Sequence, residues 1–248
     1  MLEINKIHNL DVLEGLKQID DESIDLFIFS PPYNLRNKNG KPKNLSNGGK
    51  WKNYKLSTGY DNYNDAIPHK EYVNWQKNIL LECWRCIKPT GAIFYNHKPI
   101  IREGIAILPT EYNPGINLRQ IIIWNRGSGY NFNQKFYLPT YEWIMLFCKI
   151  DFKLKSIGVS GIKDIWNFSC DKNNNHPAPF SLNLPLNILE TAKYKDLVVD
   201  PFCGSGTVPL ACKMNNCNFI GIEKSKEYCN IANKRLENYD KQKLEIKI

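Results

Sequence analysis

Long apolar runs are missing from this sequence. The longest, Trp143–Cys148, is far shorter than the roughly 20 residues that a helix needs to cross a bilayer. The first 25 residues also lack the basic stretch followed by an apolar stretch that marks a secretory signal. These two absences predict a cytosolic protein, whose eight cysteines are then free thiols.

Internal repeats and linker-like stretches are absent as well, so nothing divides the 248 residues into separate units. With 42% hydrophobic and 23% charged residues, the chain is neither disordered nor collagen-like nor a coiled coil. We therefore expect one α/β domain over residues 1–248. The net charge of +8 favours an acidic partner, of which nucleic acid is the commonest.

Strands and helices alternate along the chain, which predicts a mostly parallel sheet covered on both faces. The predicted strands are Ser23–Ser30, Ala92–Tyr95, Arg119–Trp124, Tyr141–Cys148, Leu197–Asp200 and Asn218–Glu223. The predicted helices are Glu71–Lys88, Leu184–Tyr194, Thr207–Met214 and a last one that Ser225 caps. Residues 151–175 show no periodicity and are expected to form a surface insertion that carries part of the sequence reader, including Lys163.

Acidic residues are missing from residues 34–60, which follow the first buried strand. Residues 34–66 are predicted to form a long loop, in which Trp51, Tyr54 and Tyr60 lie among cations. Such a segment is either a solvated loop or a contact to DNA phosphates, and both interpretations stay open. Its cations are Arg36, Lys38, Lys41, Lys43, Lys50, Lys52 and Lys55.

A glycine turn connects the strand Leu197–Asp200 to the helix that begins at Thr207. Gly204 and Gly206 allow a sharp turn and a close approach of the backbone to a ligand. Glu223 ends the next strand, where an acid can accept both hydroxyls of a ribose. Pro209 replaces the third glycine of a dinucleotide fingerprint, and no Gly-Lys-Ser/Thr is present, so a nucleoside such as S-adenosylmethionine suits the turn better than NAD does.

A second candidate site is Ser30-Pro31-Pro32-Tyr33, at the end of the first buried strand. Open α/β sheets bind their ligands at the carboxyl ends of strands. The two prolines fix the backbone and remove N–H donors, so we expect their carbonyls to be free acceptors. Together with a hydroxyl and an aromatic ring, such an acceptor suits a flat base that carries an exocyclic amino group. Alone, this segment is more often a simple turn, but its combination with the glycine turn favours a site.

Together these motifs resemble the amino-directed DNA methyltransferases of the permuted β group. In that family an Asp/Asn/Ser-Pro-Pro-Tyr/Phe motif precedes the cofactor motif, as Ser30–Tyr33 precedes Asp200–Thr207 here. Methyltransferases of protein glutamine and of many RNAs have the opposite order. The resemblance extends from residue 8 to about residue 238, through Leu10–Glu14, Arg85–Phe94, Asp164–Asn167 and His176–Phe180.

The resemblance implies a doubly wound, circularly permuted fold with a seven-stranded sheet, and S-adenosyl-L-methionine as cofactor. It implies double-stranded DNA as substrate, a bacterial restriction-modification setting with a cognate endonuclease, a nucleoid-associated cytoplasmic location and a homodimer. It assigns the target-base pocket to Ser30, Pro31, Pro32 and Tyr33. It assigns the cofactor to Asp11, Phe180, Asp200, Phe202, Gly204, Ser205, Gly206, Thr207 and Glu223, although Ser181 stands where relatives continue with proline.

The residue at position 30 bears on the target base. Family members with Ser-Pro-Pro-Tyr mostly resemble cytosine-N4 enzymes, whereas Asp-Pro-Pro-Tyr is typical of adenine-N6 enzymes. We therefore expect methylation of cytosine N4 in a flipped-out base, with adenine N6 as the alternative. Two other interpretations stay open: a DNA-binding protein that keeps the fold without turnover, and a nicotinamide oxidoreductase, which Pro209 disfavours. The pair Cys83 and Cys86 has metal-like spacing, but it falls on a buried helical stripe and lacks a second pair.

Overall fold

The computed structural model describes residues 1–34, 67–127, 129, 134–155, 161–169 and 181–245. The strands formed in these residues are β1 Lys6–His8, β2 Ile24–Phe29, β3 Ile87–His97, β4 Ile100–Arg102, β5 Ile105–Ile107, β6 Leu118–Asn125, β7 Tyr141–Cys148, β8 Ile165–Asn167, β9 Leu197–Asp200 and β10 Asn218–Ile222. The main sheet has the order β1-β10-β9-β2-β3-β7-β6-β8, and β4 pairs with β5 as a separate hairpin. In the main sheet β7 runs antiparallel to both of its neighbours and the other pairs are parallel.

Helices cover the two faces of this sheet. Helices α1 (Val12–Leu16) and α2 (His69–Cys86) pack on one face, in a core that includes Phe27 and Phe29. On the other face, Leu26 and Ile28 belong to the core shared with the later helices. These are α3 (Asn183–Thr191), α4 (Thr207–Met214) and α5 (Lys226–Glu245). The doubly wound α/β prediction is therefore confirmed.

Strand β2 lies near the middle of the sheet, between β9 and β3. All six of its residues are buried, because both of its faces are covered by helices, which explains why the sequence reads as a continuous apolar run. The one charged residue in that run, Asp25, accepts hydrogen bonds from Lys88 Nζ and from the Leu197 amide, both at 2.9 Å. The buried carboxylate therefore ties β2 to both neighbouring strands.

The sheet differs from the sequence prediction in three places. It has eight strands rather than seven in the described residues, because Ile165–Asn167 pairs in parallel with the edge of β6. The expected insertion 151–175 therefore contains a strand, anchored by the buried side chain of Trp166. Residues 88–91, predicted to turn into a strand at Ala92, instead form an irregularity inside β3, where Ile24 pairs with Ile87 and Leu26 with Ala92.

Helix bounds agree with the prediction to within a few residues. Helix α2 begins at His69 rather than Glu71, and its buried side chains include Tyr72, Ile79 and Cys83 along one stripe. The last helix begins at Lys226, and the Tyr228 amide donates to Ser225 Oγ at 3.4 Å, as the predicted cap requires. Among the described helices, none is long and apolar enough to cross a membrane.

Candidate active site

The candidate site lies along one edge of the sheet. Strands β2, β3, β9 and β10 are parallel, so the segments that follow Phe29, His97, Asp200 and Ile222 emerge at the same edge. Strand β7 is antiparallel and begins there, since Trp143 pairs with His97. Motifs that are far apart in sequence therefore become neighbours in space.

The glycine turn after β9 has the backbone conformation that its sequence predicts. Gly204 and Gly206 have φ angles of +49° and +80°, in the left-handed region that favours glycine. A Cβ on Gly206 would approach the Cβ of Ala232 in α5 to 3.0 Å, so the turn packs closely on that helix. Arg235 of α5 donates to the Ser205 carbonyl at 3.2 Å and to Thr207 Oγ1 at 3.1 Å, which fixes the turn from the protein side.

Asp200 is the buried carboxylate of this turn. Its Oδ1 accepts from the Phe202 amide at 3.0 Å, while Oδ2 is buried and has no hydrogen-bond partner in the described part of the chain. Burial raises the pKa of Asp200 to about 8, and the nearby Glu223 carboxylate adds to the increase. An acceptor held in this way is ready to bind a cation or an N–H donor of a ligand.

Glu223 follows β10 beside the same turn. Its Oε2 accepts from the Gly204 amide at 2.8 Å and its Oε1 from the Ser225 amide at 2.7 Å. Burial raises its pKa, although these backbone hydrogen bonds act in the opposite direction. Each carboxylate oxygen keeps a further lone pair, which is what two ribose hydroxyls would need.

The segment after β1 adjoins Glu223. Asn9 Nδ2 donates to the Glu223 carbonyl at 3.0 Å, and Lys224 Nζ lies 3.2 Å from Asp11 Oδ2. Asp11 also caps α1 by accepting from the Leu13 amide at 3.1 Å. Sequence reasoning found Asp11 but missed Asn9, which lies beside it.

Phe202 forms the apolar part of the turn, and it connects the two candidate motifs. Its ring centroid lies 5.9 Å from that of Phe29, the residue before Ser30, and 5.6 Å from that of Trp75 in α2. The glycine turn and the Ser30–Tyr33 segment are therefore adjacent. Trp75 was not predicted as a site residue.

Ser30 and Tyr33 meet through their hydroxyl groups, whose oxygens are 2.7 Å apart. The ring of Tyr33 packs against the ring of His97, with their centroids 4.4 Å apart. Lys98 Nζ lies 5.5 Å from the centroid of the Tyr33 ring. The Pro32 carbonyl accepts from the Tyr72 hydroxyl at 2.7 Å. That carbonyl is therefore occupied, which corrects the expectation that both prolines of the segment present free acceptors.

A network of polar residues that sequence reasoning missed lies behind these hydroxyls. The Tyr33 hydroxyl donates to Glu142 Oε2 at 2.9 Å, and Asn96 Nδ2 donates to both Tyr33 Oη and Glu142 Oε2 at 2.8 Å. Arg126 Nη1 lies 3.4 Å from Glu142 Oε1. Glu142 stands at a buried position of β7, in phase with Ile144, where alternation would place an apolar residue, and this break in pattern is a signal that could have found it.

His97 lies next to this network and is fully buried. Its Nε2 is 2.8 Å from the Tyr72 hydroxyl and its Nδ1 is 2.9 Å from the Lys98 carbonyl. Burial lowers the pKa of His97 to about 3, so the ring is neutral at physiological pH. It therefore supports the Tyr33 ring as an uncharged surface.

Several predicted residues do not join this site or lie outside the described residues. Lys163 is exposed and lies just before β8. Asn167 lies at the other end of that strand, where its Oδ1 accepts from Asn125 Nδ2 at 2.8 Å. Cys83 and Cys86 are buried in the helix core, and in the portion of the chain described here no group of side chains could hold a metal ion. Outside the described residues lie Phe180 and the cations Arg36, Lys38, Lys41, Lys43, Lys50 and Lys52.

Comparison with known proteins decides the family. A family model described as DNA methylase, of the N6/N4 type, matches residues 24–234, a range that contains both Ser30–Tyr33 and Asp200–Thr207. The chain belongs to this DNA methylase family. It is therefore a DNA amino-methyltransferase of the type found in restriction-modification systems.

Curated relatives of this methylase include type II methyltransferases. M.BglII of Bacillus subtilis is 30% identical, over 92% of this chain and 68% of its own length. M.HpaI of Haemophilus parainfluenzae is 30% identical, over 92% of this chain and 73% of its own. DNA adenine methyltransferase YhdJ of Escherichia coli is 24% identical, over 92% of this chain and 81% of its own length. Both chains of each pair are thus largely covered.

Solved structures share the fold of the methylase. The PvuII DNA methyltransferase, described as cytosine-N4-specific, superposes with a TM-score of 0.70 at 20% identity, over 91% of this chain and 84% of that one. The M1.HpyAVI–SAM complex has a TM-score of 0.60 at 20% identity, over 93% and 98%. At such identities the likeness establishes the fold, and one relative named for adenine and one named for cytosine leave the base open.

Proposed function

We propose that this protein moves a methyl group from S-adenosyl-L-methionine to the exocyclic N4 amino group of a flipped-out cytosine, at a specific site in double-stranded DNA. The observation that carries the proposal is the adjacency of the Ser30–Tyr33 segment and the glycine turn, at the carboxyl ends of β2 and β9. Phe29 and Phe202 join the two segments, with ring centroids 5.9 Å apart. A methyl donor held by the glycine turn would therefore lie beside a base held by Ser30–Tyr33.

The residues of the glycine turn fit the cofactor. The unpartnered Oδ2 of buried Asp200 would accept from the ammonium of the methionine part, and Glu223 from the ribose hydroxyls. Asp11 would lie towards the adenine, as would Phe180. The remaining residues in the cofactor role are Phe202, Gly204, Ser205, Gly206 and Thr207. When bound, S-adenosyl-L-methionine supplies an activated methyl group on a sulfonium sulfur.

Ser30, Pro31, Pro32 and Tyr33 would form the base pocket. The Tyr33 ring stacks on the flipped base, which offsets part of the unstacking cost, by about 1–3 kcal/mol per base–aromatic contact. Ser30 Oγ and the Pro31 carbonyl accept the two amino hydrogens. These acceptors favour a more tetrahedral nitrogen, whose lone pair would attack the methyl carbon as the bond from that carbon to sulfur breaks. S-adenosyl-L-homocysteine would leave, and the methylated nitrogen would then lose one proton to water. No covalent enzyme intermediate is required.

Adenine N6 is the second candidate base, since the family includes both activities and one relative is named an adenine methyltransferase. The neutral hydroxyl of Ser30, where a carboxylate is typical of adenine enzymes, supports cytosine. A cognate endonuclease, a homodimer and DNA contacts by the loop cations and Lys163 belong to the same proposal.

Nucleoside analysis tests the proposal. The purified protein would be incubated with S-adenosyl-L-methionine and unmethylated genomic DNA, which is then digested to nucleosides for mass spectrometry. We expect N4-methylcytosine, absent from a parallel reaction with Asp200→Asn. Detection of N6-methyladenine alone would overturn the base assignment. Absence of both methylated nucleosides would overturn the enzymatic function.

A further inference from the structure

With Glu142 as a carboxylate, which can only accept, one arrangement of the hydroxyl hydrogens satisfies every contact of the network. Tyr33 has a single hydroxyl hydrogen, and it is donated to Glu142 Oε2 at 2.9 Å. The 2.7 Å contact between the Ser30 and Tyr33 hydroxyls must then be a hydrogen bond that Ser30 donates. The chain of donors therefore runs from Ser30 through Tyr33 to Glu142.

Asn96, which is buried, and Arg126, which is partly exposed, hold Glu142 at the end of this chain. Arg126 Nη1 lies 3.4 Å from Oε1, so the buried carboxylate has a cation beside it. Asn96 donates through Nδ2 to Glu142 and Tyr33, both at 2.8 Å, and Oδ1 has no partner within the described ranges. Rotating this amide would place its oxygen against the carboxylate, so Asn96 reinforces the same direction.

With its hydrogen committed to Tyr33, Ser30 can offer only lone pairs to a base. Its remaining protein contact, with Asn96 Nδ2 at 3.3 Å, is the longest hydrogen bond of the network. A base that presents an amino group satisfies such an acceptor, whereas a base that presents a carbonyl leaves two acceptors face to face. We propose that Glu142, acting through Tyr33, is the positioning residue that restricts the base pocket to amino-bearing bases.

This inference rests on the proposed function and adds a residue to it. Glu142 does not touch the base; it sets what Ser30 can accept. A charged terminus also polarises the chain and makes the neutral Ser30 hydroxyl a stronger acceptor than an isolated serine would be. Ser30 therefore acquires part of the character of the carboxylate that stands at this position in typical adenine enzymes.

Glu142→Gln replaces the carboxylate, which can only accept, by an amide that can also donate, with almost no change in side-chain shape. The hydrogen bonds from Ser30 through Tyr33 then no longer have a fixed direction. The amide can donate to Tyr33, which lets Tyr33 donate to Ser30 and Ser30 donate to the base. Tyr33→Phe interrupts the chain at its middle and leaves the Glu142–Arg126 pair in place. Glu142→Asp keeps an acceptor at the end, and Glu237→Gln, on an exposed position of α5, is the matched control.

The test measures two quantities for each variant. The first is the dissociation constant, without cofactor, for duplexes that carry at the methylated position either the amino base or its carbonyl analogue, uracil for cytosine or hypoxanthine for adenine. The second is the single-turnover rate of methylation. We expect the wild type and Glu237→Gln to prefer the amino base by about tenfold or more. In Glu142→Gln and in Tyr33→Phe the ratio of the two dissociation constants falls towards one and the methylation rate falls about 100-fold. The double variant is no worse than either single variant. Glu142→Asp keeps most of the preference and most of the rate.

The outcomes separate the two proposals. If the wild type methylates DNA but Glu142→Gln keeps both the preference and the rate, the role of Glu142 is wrong and the proposed function stands. If the wild type methylates no base, the proposed function fails first. Tyr33→Phe decides the case in which Glu142→Gln does not fold: an unchanged amino preference in Tyr33→Phe would overturn the inference.

Discussion

At the scale of single residues, the cofactor-side turn is characterised by a buried carboxylate whose pKa is raised. Asp200 has a pKa of about 8 in the folded protein against an ordinary value of 3.8. The folded state therefore binds a proton that the unfolded state has already lost, and the free energy of unfolding falls as the pH rises towards 8. Glu223, whose pKa burial also raises, acts in the same direction.

We predict that Asp200→Asn stabilises the ligand-free protein at alkaline pH. His97, with its pKa lowered to about 3, makes stability rise with pH only up to its ordinary value of 6.5, so it no longer contributes between pH 6.5 and 8. In that interval the free energy of unfolding of the wild type falls with pH, and Asp200→Asn removes a part of this slope that approaches about 1.4 kcal/mol per pH unit. Urea unfolding at several pH values measures it.

The control for this prediction is Asp240→Asn, on an exposed position of α5 beside Lys213. It should leave the pH dependence of the unfolding free energy unchanged. Parallel curves for the wild type and Asp200→Asn would show that Asp200 is ionised in the folded protein and that its raised pKa is wrong.

Sequence reasoning predicts the candidate site residues that form contiguous motifs and does not predict those that meet only through the sheet. Ser30 and Tyr33 lie three positions apart, and Asp200 shares a segment with the glycine turn. Asn96 and Glu142 are 46 positions apart, and only the antiparallel pairing of β3 with β7 brings them together. No local spacing predicts such a pairing.

At the scale of elements, the turn between β9 and α4 is fixed by its conformation and by the packing of α5. We predict that Gly206→Ala lowers the free energy of unfolding by about 1–2 kcal/mol from backbone strain, with an additional decrease from the 3.0 Å approach to Ala232. It should also weaken cofactor binding. Thermal unfolding and calorimetric titration with S-adenosyl-L-methionine measure the two effects.

Gly104→Ala separates the two causes. Gly104 has a φ of +83°, close to that of Gly206, but no atom lies within 4 Å of the Cβ it would gain. It should therefore show the strain alone and leave cofactor binding unchanged. Equal decreases in stability for both substitutions would mean that the approach to Ala232 contributes nothing.

The elements that the sequence predicts best are those buried on both faces. The bounds of β7 and β9 agree residue by residue with the predicted strands, since short runs of buried apolar residues mark both of them. The short β8 and the β4–β5 hairpin were missed. Their strands have only three residues each and lie at the edge of the main sheet or outside it. Three residues are too few to show an alternation of apolar and polar side chains, so pairing with a neighbouring strand determines whether they form.

At the scale of the whole molecule, the charge of +8 predicts salt-dependent binding to DNA. We expect replacement of Lys38, Lys41 and Lys43 by glutamine to weaken binding and to reduce the slope of log affinity against log salt. The reduction is up to about 0.9 for each DNA phosphate that the protein no longer neutralises. The dissociation constant for S-adenosyl-L-methionine should not change. Fluorescence anisotropy over a salt series measures the slope.

The matching control replaces Lys226, Lys234 and Lys241 of α5, which are exposed, by glutamine. The net charge changes equally in the two triple variants. Equal slopes would show that binding follows total charge and that the basic segment makes no specific interaction with phosphates.

The pairing of β2 with β9 has a consequence for how the protein is synthesised. The hydrogen bond between the Leu197 amide and Asp25 joins residues 172 positions apart. At about 5–20 residues per second, a ribosome needs on the order of ten seconds or more to make that interval. Throughout it, the emerging β2 has an unpaired edge and Asp25 lacks one of its donors, so we expect the nascent chain to be open to aggregation and chaperone binding until β9 is translated.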